Sequence, residues 1–290
     1  MWPLRLLAVG IVVWLLRLPI AWAGGRLALA AGHLLQRVTQ VPLLNRFPGF
    51  QYANQNWDIV AGYFGVHLRL TVESLAVAIA LAIPVGILVH RFRWLYIPTF
   101  GVLDAIYTVP SIALFTLLLP VTGLSDWTAL IPMIAYAQFV LVRNVVAGLD
   151  SVPAEVKEAA RGMGMNRFQI LSKVEFPLAL PVIVAGIRIA TVVTIGIAAL
   201  AALVAIPDLG RTFFDATTNG GTNAFPMIEA GAVFVSFLAI GADLVLRAVE
   251  YVIPANRVAR AGSRGWLRSL AGSLIPSRVA TEDPVAPQSA

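Results

Sequence analysis

The chain has 290 residues, 59% of them hydrophobic, with a mean hydropathy of +0.82 and a formal net charge of +6. A soluble globule cannot bury so much apolar surface, so the composition describes a polytopic membrane protein. The absence of cysteine excludes disulfides, thiolate metal sites and cysteine nucleophiles. His33, His67 and His90 are scattered, with no H-E-x-x-H pattern or His/carboxylate cluster, so no bound metal is expected. A G-x-x-x-x-G-K-[ST] loop is also missing, and the chain cannot itself be an ATPase of that kind.

The first apolar segment runs from Leu4 to Ala23, with Arg5 near its start and Ala21-Trp22-Ala23 at its end. The A-x-A ending is that of a signal peptide, whereas Arg17 interrupts the apolar stretch and favours an uncleaved signal anchor over residues 1–24; both readings stay open. Residues 25–61 carry too many polar interruptions to span a bilayer and are expected to form an extracytoplasmic, amphipathic and partly helical segment on the outer membrane face. Five apolar runs follow, at about 63–89, 96–121, 128–148, 178–205 and 226–250, each near the ~20 residues that cross a bilayer. The basic tail, 253–290, is rich in Ser, Pro, Ala and Arg and is expected to be partly disordered, beyond about Pro276.

Between the third and fourth runs lies a polar, basic loop, Glu158 to Pro177. Pro153 suits a first helical turn, and Glu155 places negative charge at the positive end of the helix dipole. Gly162 and Gly164 then stop the helix. Asn166 followed by Gln169 has the spacing of a capping box, so a second helix should start there, and Pro177 marks entry to the next span.

Glu158-Ala159-Ala160, three residues, Gly164, nine residues, then Val174-x-Phe176-Pro177 resembles the EAA loop of ABC importer permeases, whose pattern ends in I-x-L-P. The two departures, Val174 and Phe176, keep apolar side chains. The resemblance implies an all-α fold: five core transmembrane helices of the type I ABC importer permease, here with an N-terminal signal anchor, and a transmembrane domain over residues 62–252 with a cytoplasmic loop at 150–177. It also implies that Glu158, Ala159, Ala160, Gly162, Gly164, Phe176 and Pro177 couple the permease to a separate ATP-binding subunit, whose groove receives the loop. A cytoplasmic loop places Arg91, Arg93, Arg143, Lys157, Arg161, Arg167, Lys173, Arg247 and the arginines of the tail inside, and only Arg26, Arg37, Arg46, Arg69 and Arg211 outside. That asymmetry obeys the positive-inside rule.

Other segments resemble the glycine betaine, choline and carnitine (osmoprotectant) branch of these permeases. They are His67 to Leu88, with Thr71, Ser74, Pro84 and Gly86; Tyr107 to Leu124, similar to the branch's T-x-P-S-x-A-L segment; and Ala185 to Val204. The main departure is Ala205-Ile206-Pro207-Asp208-Leu209-Gly210, where the branch usually carries G-A-G-G-L-G. Thr108, Pro110, Ser111, Thr194, Arg188 and Asp104 are candidates for the translocation path, against a packing role for the prolines and for the small residues Ala78, Ala80, Ala82 and Gly86. Arg188 lies eleven residues beyond Pro177 and Asp104 eleven beyond Arg93, each about 16 Å along a helix, so the two charges reach similar depth and are expected to pair, with Glu73 as competitor. Arg69 and Glu73 share one helix face.

The resemblance therefore implies the permease subunit of a binding-protein-dependent importer in the bacterial plasma (inner) membrane, carrying a quaternary ammonium compatible solute. ATP and Mg would be bound by a partner ATPase dimer, and this chain would hold no cofactor. A second permease copy or paralogue and an extracytoplasmic solute-binding protein complete the expected assembly, with the aromatic cage for the solute on that binding protein; no nucleic acid is expected. The alternatives are a permease for another small solute such as an amino acid, and a stand-alone secondary transporter. An intramembrane enzyme is disfavoured, because there is no cysteine and no membrane histidine aligned with a G-x-S-x-G.

Overall fold

A computed structural model describes residues 30–32, 35–37, 39–41, 44–219 and 221–252. The expected signal anchor at 1–24 and basic tail at 253–290 lie outside the described residues.

A short helix α1 (Pro48–Gln55) starts on a proline whose missing N–H is harmless in a first turn, and its Gly49 N–H donates to the Glu229 carboxylate at 3.0 Å. Phe50 and Ala53 bury against Phe234 of the last helix, so this short helix is docked on the bundle. The first long helix, α2 (Trp57–Arg91), begins six residues before the expected 63 and absorbs Pro84 without a break. Ala78, Ala82 and Gly86 form its buried stripe, and a methyl group on Gly86 would fall 2.4 Å from Val145; Ala80 faces the other way and is exposed. Small residues thus let α2 meet α5 (Asp126–Asp150), the helix at the centre of the bundle.

The run expected as one span at 96–121 is instead two helices, α3 (Tyr96–Thr108) and α4 (Ser111–Thr122), bent by 94° at Val109-Pro110. Pro110 excludes helical geometry at Val109, which sits at φ −67°, ψ 130°. The carbonyl freed at Val109 accepts the Tyr136 hydroxyl, which satisfies the backbone group that the break leaves without a helical partner. Pro120 and Pro132 lie inside helices that stay intact.

The polar loop carries α6 (Ala154–Gly162) and α7 (Arg167–Ile170). From Arg167 the helix continues through a π-helical stretch, Leu171–Glu175, into α8 (Phe176–Ala198) and a 3₁₀ turn, Ala199–Val204. Two helices complete the described chain, α9 (Gly210–Asn219) and α10 (Ala224–Val252). Helix α8 packs against α5, α2 and α10. Among the described residues, four helices, or five with the bent pair counted as one span, are long and apolar enough to cross a membrane. Of the most apolar stretch of α10 only 6% is buried, against 56% for α5, so α10 offers its flanks to lipid or a partner.

Candidate coupling site and its surroundings

The loop is built from local rules. Pro153 is the N-cap residue of α6 and Glu155 lies in its first turn. The helix ends at Gly162, and Gly164 takes φ +79°, a left-handed conformation that side chains resist. There the Met165 N–H reaches back to the Ala160 carbonyl at 3.2 Å, closing the turn. The expected capping box is present: Gln169 N–H donates to the Asn166 side chain at 2.9 Å, and Asn166 N–H to the Gln169 side chain at 2.8 Å.

Of the expected coupling residues, Glu158, Ala159, Gly162 and Gly164 are exposed, Ala160 is buried under the turn, and Phe176 and Pro177 are partly buried where α8 begins. Two apolar side chains beside them went unremarked in the sequence: Met163 and Phe168 are about three-quarters exposed, a cost at a solvated surface unless a partner covers them. Behind the loop, charges tie the helices together. Asp150 accepts from Arg93 at 2.8 Å and lies 2.6 Å from His90 Nδ1, while Glu175 lies 3.4 Å from Lys157 and 3.6 Å from His90 Nε2. These contacts join α2, α5, α6 and the π-helical stretch, and they border a cavity of about 480 Å³ lined by His90, Arg91, Lys157, Arg161, Arg167 and Glu175.

Among the expected path residues, Thr108, Pro110 and Ser111 come together at the break between α3 and α4. Thr108 spends its hydroxyl on the Ala105 carbonyl, 2.8 Å away. Thr194 stands on α8, buried, with a hydroxyl that makes no hydrogen bond. Arg188 and Asp104 do not pair in this conformation. Arg188 binds Asp243 at 2.9 Å and Glu250 at 2.7 Å, both on α10, whereas Asp104 pairs with Arg143 of α5. Equal depth does not make the two charges neighbours: α8 turns Arg188 toward α10, while α3 packs on α5. Arg69 does lie 3.7 Å from Glu73, and also 3.0 Å from Asp126.

One polar contact was missed altogether. His67 of α2 and Asp208 of the loop after the 3₁₀ turn are both wholly buried, with Nδ1 to Oδ2 at 2.9 Å, and His67 Nε2 lies 3.1 Å from the Ile195 carbonyl. Burial pushes the Asp208 carboxyl above its ordinary 3.8, opposed by His67 and by the Gly210 N–H. A lone histidine on an apolar helix and a carboxylate in an apolar loop were the available signal.

A profile of the family described as "Binding-protein-dependent transport system inner membrane component" matches residues 78–252, which contain the loop, the break and the central helix. The chain belongs to this family. It is thus the membrane component of a binding-protein-dependent transport system, a multi-pass protein of the bacterial inner membrane. Its curated relatives include the choline transport system permease protein OpuBD of Bacillus subtilis, 34% identical over 213 residues, covering 73% of this chain and 93% of the relative. The osmoprotectant import permease protein OsmW of Salmonella typhimurium is 35% identical over 207 residues, covering 70% of this chain and 95% of that one. The glycine betaine/carnitine/choline transport system permease protein OpuCD of Bacillus subtilis is 36% identical over 199 residues, covering 69% and 86%. Among solved structures, a chain of the inward-facing MetNI methionine ABC transporter superposes with a TM-score of 0.57 over 66% of this chain and 96% of that one, at 24% identity. That likeness shows the type I permease fold.

Proposed function

We propose that this permease translocates a compatible solute bearing a quaternary ammonium group, such as glycine betaine, choline or carnitine, driven by ATP hydrolysis on separate partner chains. The observation that carries the solute class is the likeness, along most of their length, to permeases named for choline, carnitine, glycine betaine and osmoprotectants. The loop at 150–177 is the seat of coupling in this reading. Its exposed Met163 and Phe168 and its turn at Gly164 suit insertion into a groove on the ATP-binding subunit, and the charges around His90, Lys157 and Glu175 link that movement to α2 and α5. Two ATP-binding subunits, a second permease copy or paralogue and an extracytoplasmic solute-binding protein complete the assembly. Glu158, Ala159, Ala160, Gly162, Gly164, Phe176 and Pro177 form the coupling contact, while Thr108, Pro110, Ser111 and Thr194 border the path.

The test is uptake by vesicles holding the reconstituted complex, with the cognate binding protein outside and ATP inside. Accumulation of glycine betaine, choline or carnitine, with matching stimulation of ATP hydrolysis, is the expected result. Stimulation by an amino acid alone would reassign the solute, and transport by the permease without any ATPase would overturn the coupling.

A further inference from the structure

The bend between α3 and α4 gathers aromatic rings and one ion pair on a half-open surface. Tyr107, next to the bend, stacks on Phe139 of α5 with centroids 4.1 Å apart and planes 15° apart, and meets Tyr136 edge-on at 5.7 Å. The Arg143 guanidinium lies over the rings of Phe139, at 4.6 Å, and Phe100, at 4.9 Å. Arg143 is held there by Asp104, yet its Nε–H is buried without an acceptor. The Asp104 and Arg143 side chains retain 49% and 41% exposure, and Tyr107 40%. Charges on membrane helices face water or protein, so this half-exposed surface does not face hydrocarbon.

Phe139 and Phe100 therefore already hold a cation, supplied by a side chain on a flexible stem, while Tyr107 is stacked on Phe139 and extends the aromatic surface. Aromatic faces attract a quaternary ammonium by the same quadrupole, and without the hydration cost that a compact ammonium would bring. A zwitterion adds a complementary second charge: its ammonium suits the rings and Asp104, and its carboxylate suits the guanidinium of Arg143, which binds carboxylates in a planar fork. When empty, Asp104 and Arg143 satisfy each other. The solute has to displace that contact, which keeps occupancy weak and release fast, as a translocation path requires.

We propose that Tyr107 and Phe139, together with Asp104 and Arg143, form a low-affinity site in the permease for a zwitterionic quaternary ammonium solute, in addition to any cage on the binding protein. The proposal rests on the solute class given above and adds residues that translocate it.

The test uses the purified permease–ATPase complex without binding protein and reads saturation-transfer NMR on the solute methyl groups. Glycine betaine is compared with 3,3-dimethylbutanoate, which has the same shape and carboxylate but no positive charge. Glycine betaine should bind between about threefold and thirtyfold more tightly, the range that a cation–π contact supplies. Tyr107→Leu and Phe139→Leu should weaken glycine betaine by a similar factor, Tyr107→Phe should restore it, and Arg143→Gln should weaken both ligands. Equal binding of the two ligands to the unmodified complex, a comparison that needs no variant to fold, would overturn the site. So would leucine variants that bind like the parent. If the solute class itself is wrong, the unmodified complex with its binding protein imports no quaternary ammonium at all; if only this site is wrong, that import persists while the variants are indifferent.

Discussion

His67 and Asp208, 141 positions apart, meet at 2.9 Å with neither side chain exposed to solvent. The geometry fixes one proton: the Ile195 carbonyl can only accept, so His67 Nε2 carries a hydrogen. The contact at Nδ1 then shares one further proton, either as imidazolium with carboxylate or as neutral imidazole with carboxylic acid. In both states the pair is uncharged overall, which is what a buried site tolerates.

Asp208→Asn can donate to a neutral Nδ1 and should cost less than about 1 kcal/mol, whereas His67→Ala leaves the buried carboxyl with only the Gly210 N–H and should cost about 1–3 kcal/mol. Thermal scans of the detergent-solubilised protein against pH supply the second readout. Because the folded pKa of Asp208 is raised above 3.8, its contribution to stability is full below that value and is lost as pH rises through the folded value. Asp208→Asn should flatten that slope, and an unchanged slope would remove Asp208 as its source.

The loop around this pair makes opposite demands at two positions. Ala205 sits at φ +64°, where the resembled branch carries glycine, so Ala205→Gly should raise the melting temperature through a gain of up to about 1 kcal/mol. Gly210 keeps its glycine for another reason: a methyl group there would lie 1.8 Å from the Ala199 carbonyl oxygen. Gly210→Ala should cost at least about 2 kcal/mol or misplace α9, checked by melting and by limited proteolysis of the loop.

Gly164→Val should leave membrane insertion intact, since nothing lies within 4 Å of an added methyl group, but should strain the turn at φ +79° by about 1–2 kcal/mol. Together with Glu158→Lys it is expected to reduce uptake by roughly tenfold while ATP hydrolysis continues, since 1.4 kcal/mol is one decade. The ratio of solute imported to ATP hydrolysed measures this, and a parental ratio at parental expression would remove the coupling role.

Arg188→Ala and Asp243→Ala should each lower the melting temperature, and the double variant should lose less than the sum, because each single change removes the same contact; Glu250 still holds Arg188 and Arg247 still holds Asp243, so neither charge is left alone. The cycle between Arg188 and Asp104 should be additive. Strong coupling in that second cycle would point to a conformation in which Arg188 leaves α10.

What was legible in the sequence was local or one-dimensional. The capping box of Asn166 and Gln169 and the turn at Gly164 follow from nearest neighbours, so spacing alone located them. The bend at Pro110 was within reach, because a proline fixes its predecessor, but the apolar run masked it. The partner of Arg188 was not legible: rise per residue sets height, while the choice between Asp104 and Asp243 depends on how helices turn about their axes. Likewise His67 and Asp208 read separately as an isolated base and a lost glycine, and only packing shows them as one group.

The unbroken path from Arg167 to Val204 makes a single strut, 38 residues long, from the loop at one membrane face to the loop that carries Asp208. At 1.5–2.0 Å per residue it measures roughly 60 Å, so a tilt of about 5° at its foot sweeps its far end through roughly 5 Å. Leverage of that size needs no large rearrangement near the ATPase. The π-helical turn at Leu171–Glu175, close to the pivot, sets the phase between the two ends, so inserting or deleting one residue there would misalign the stroke without shortening it.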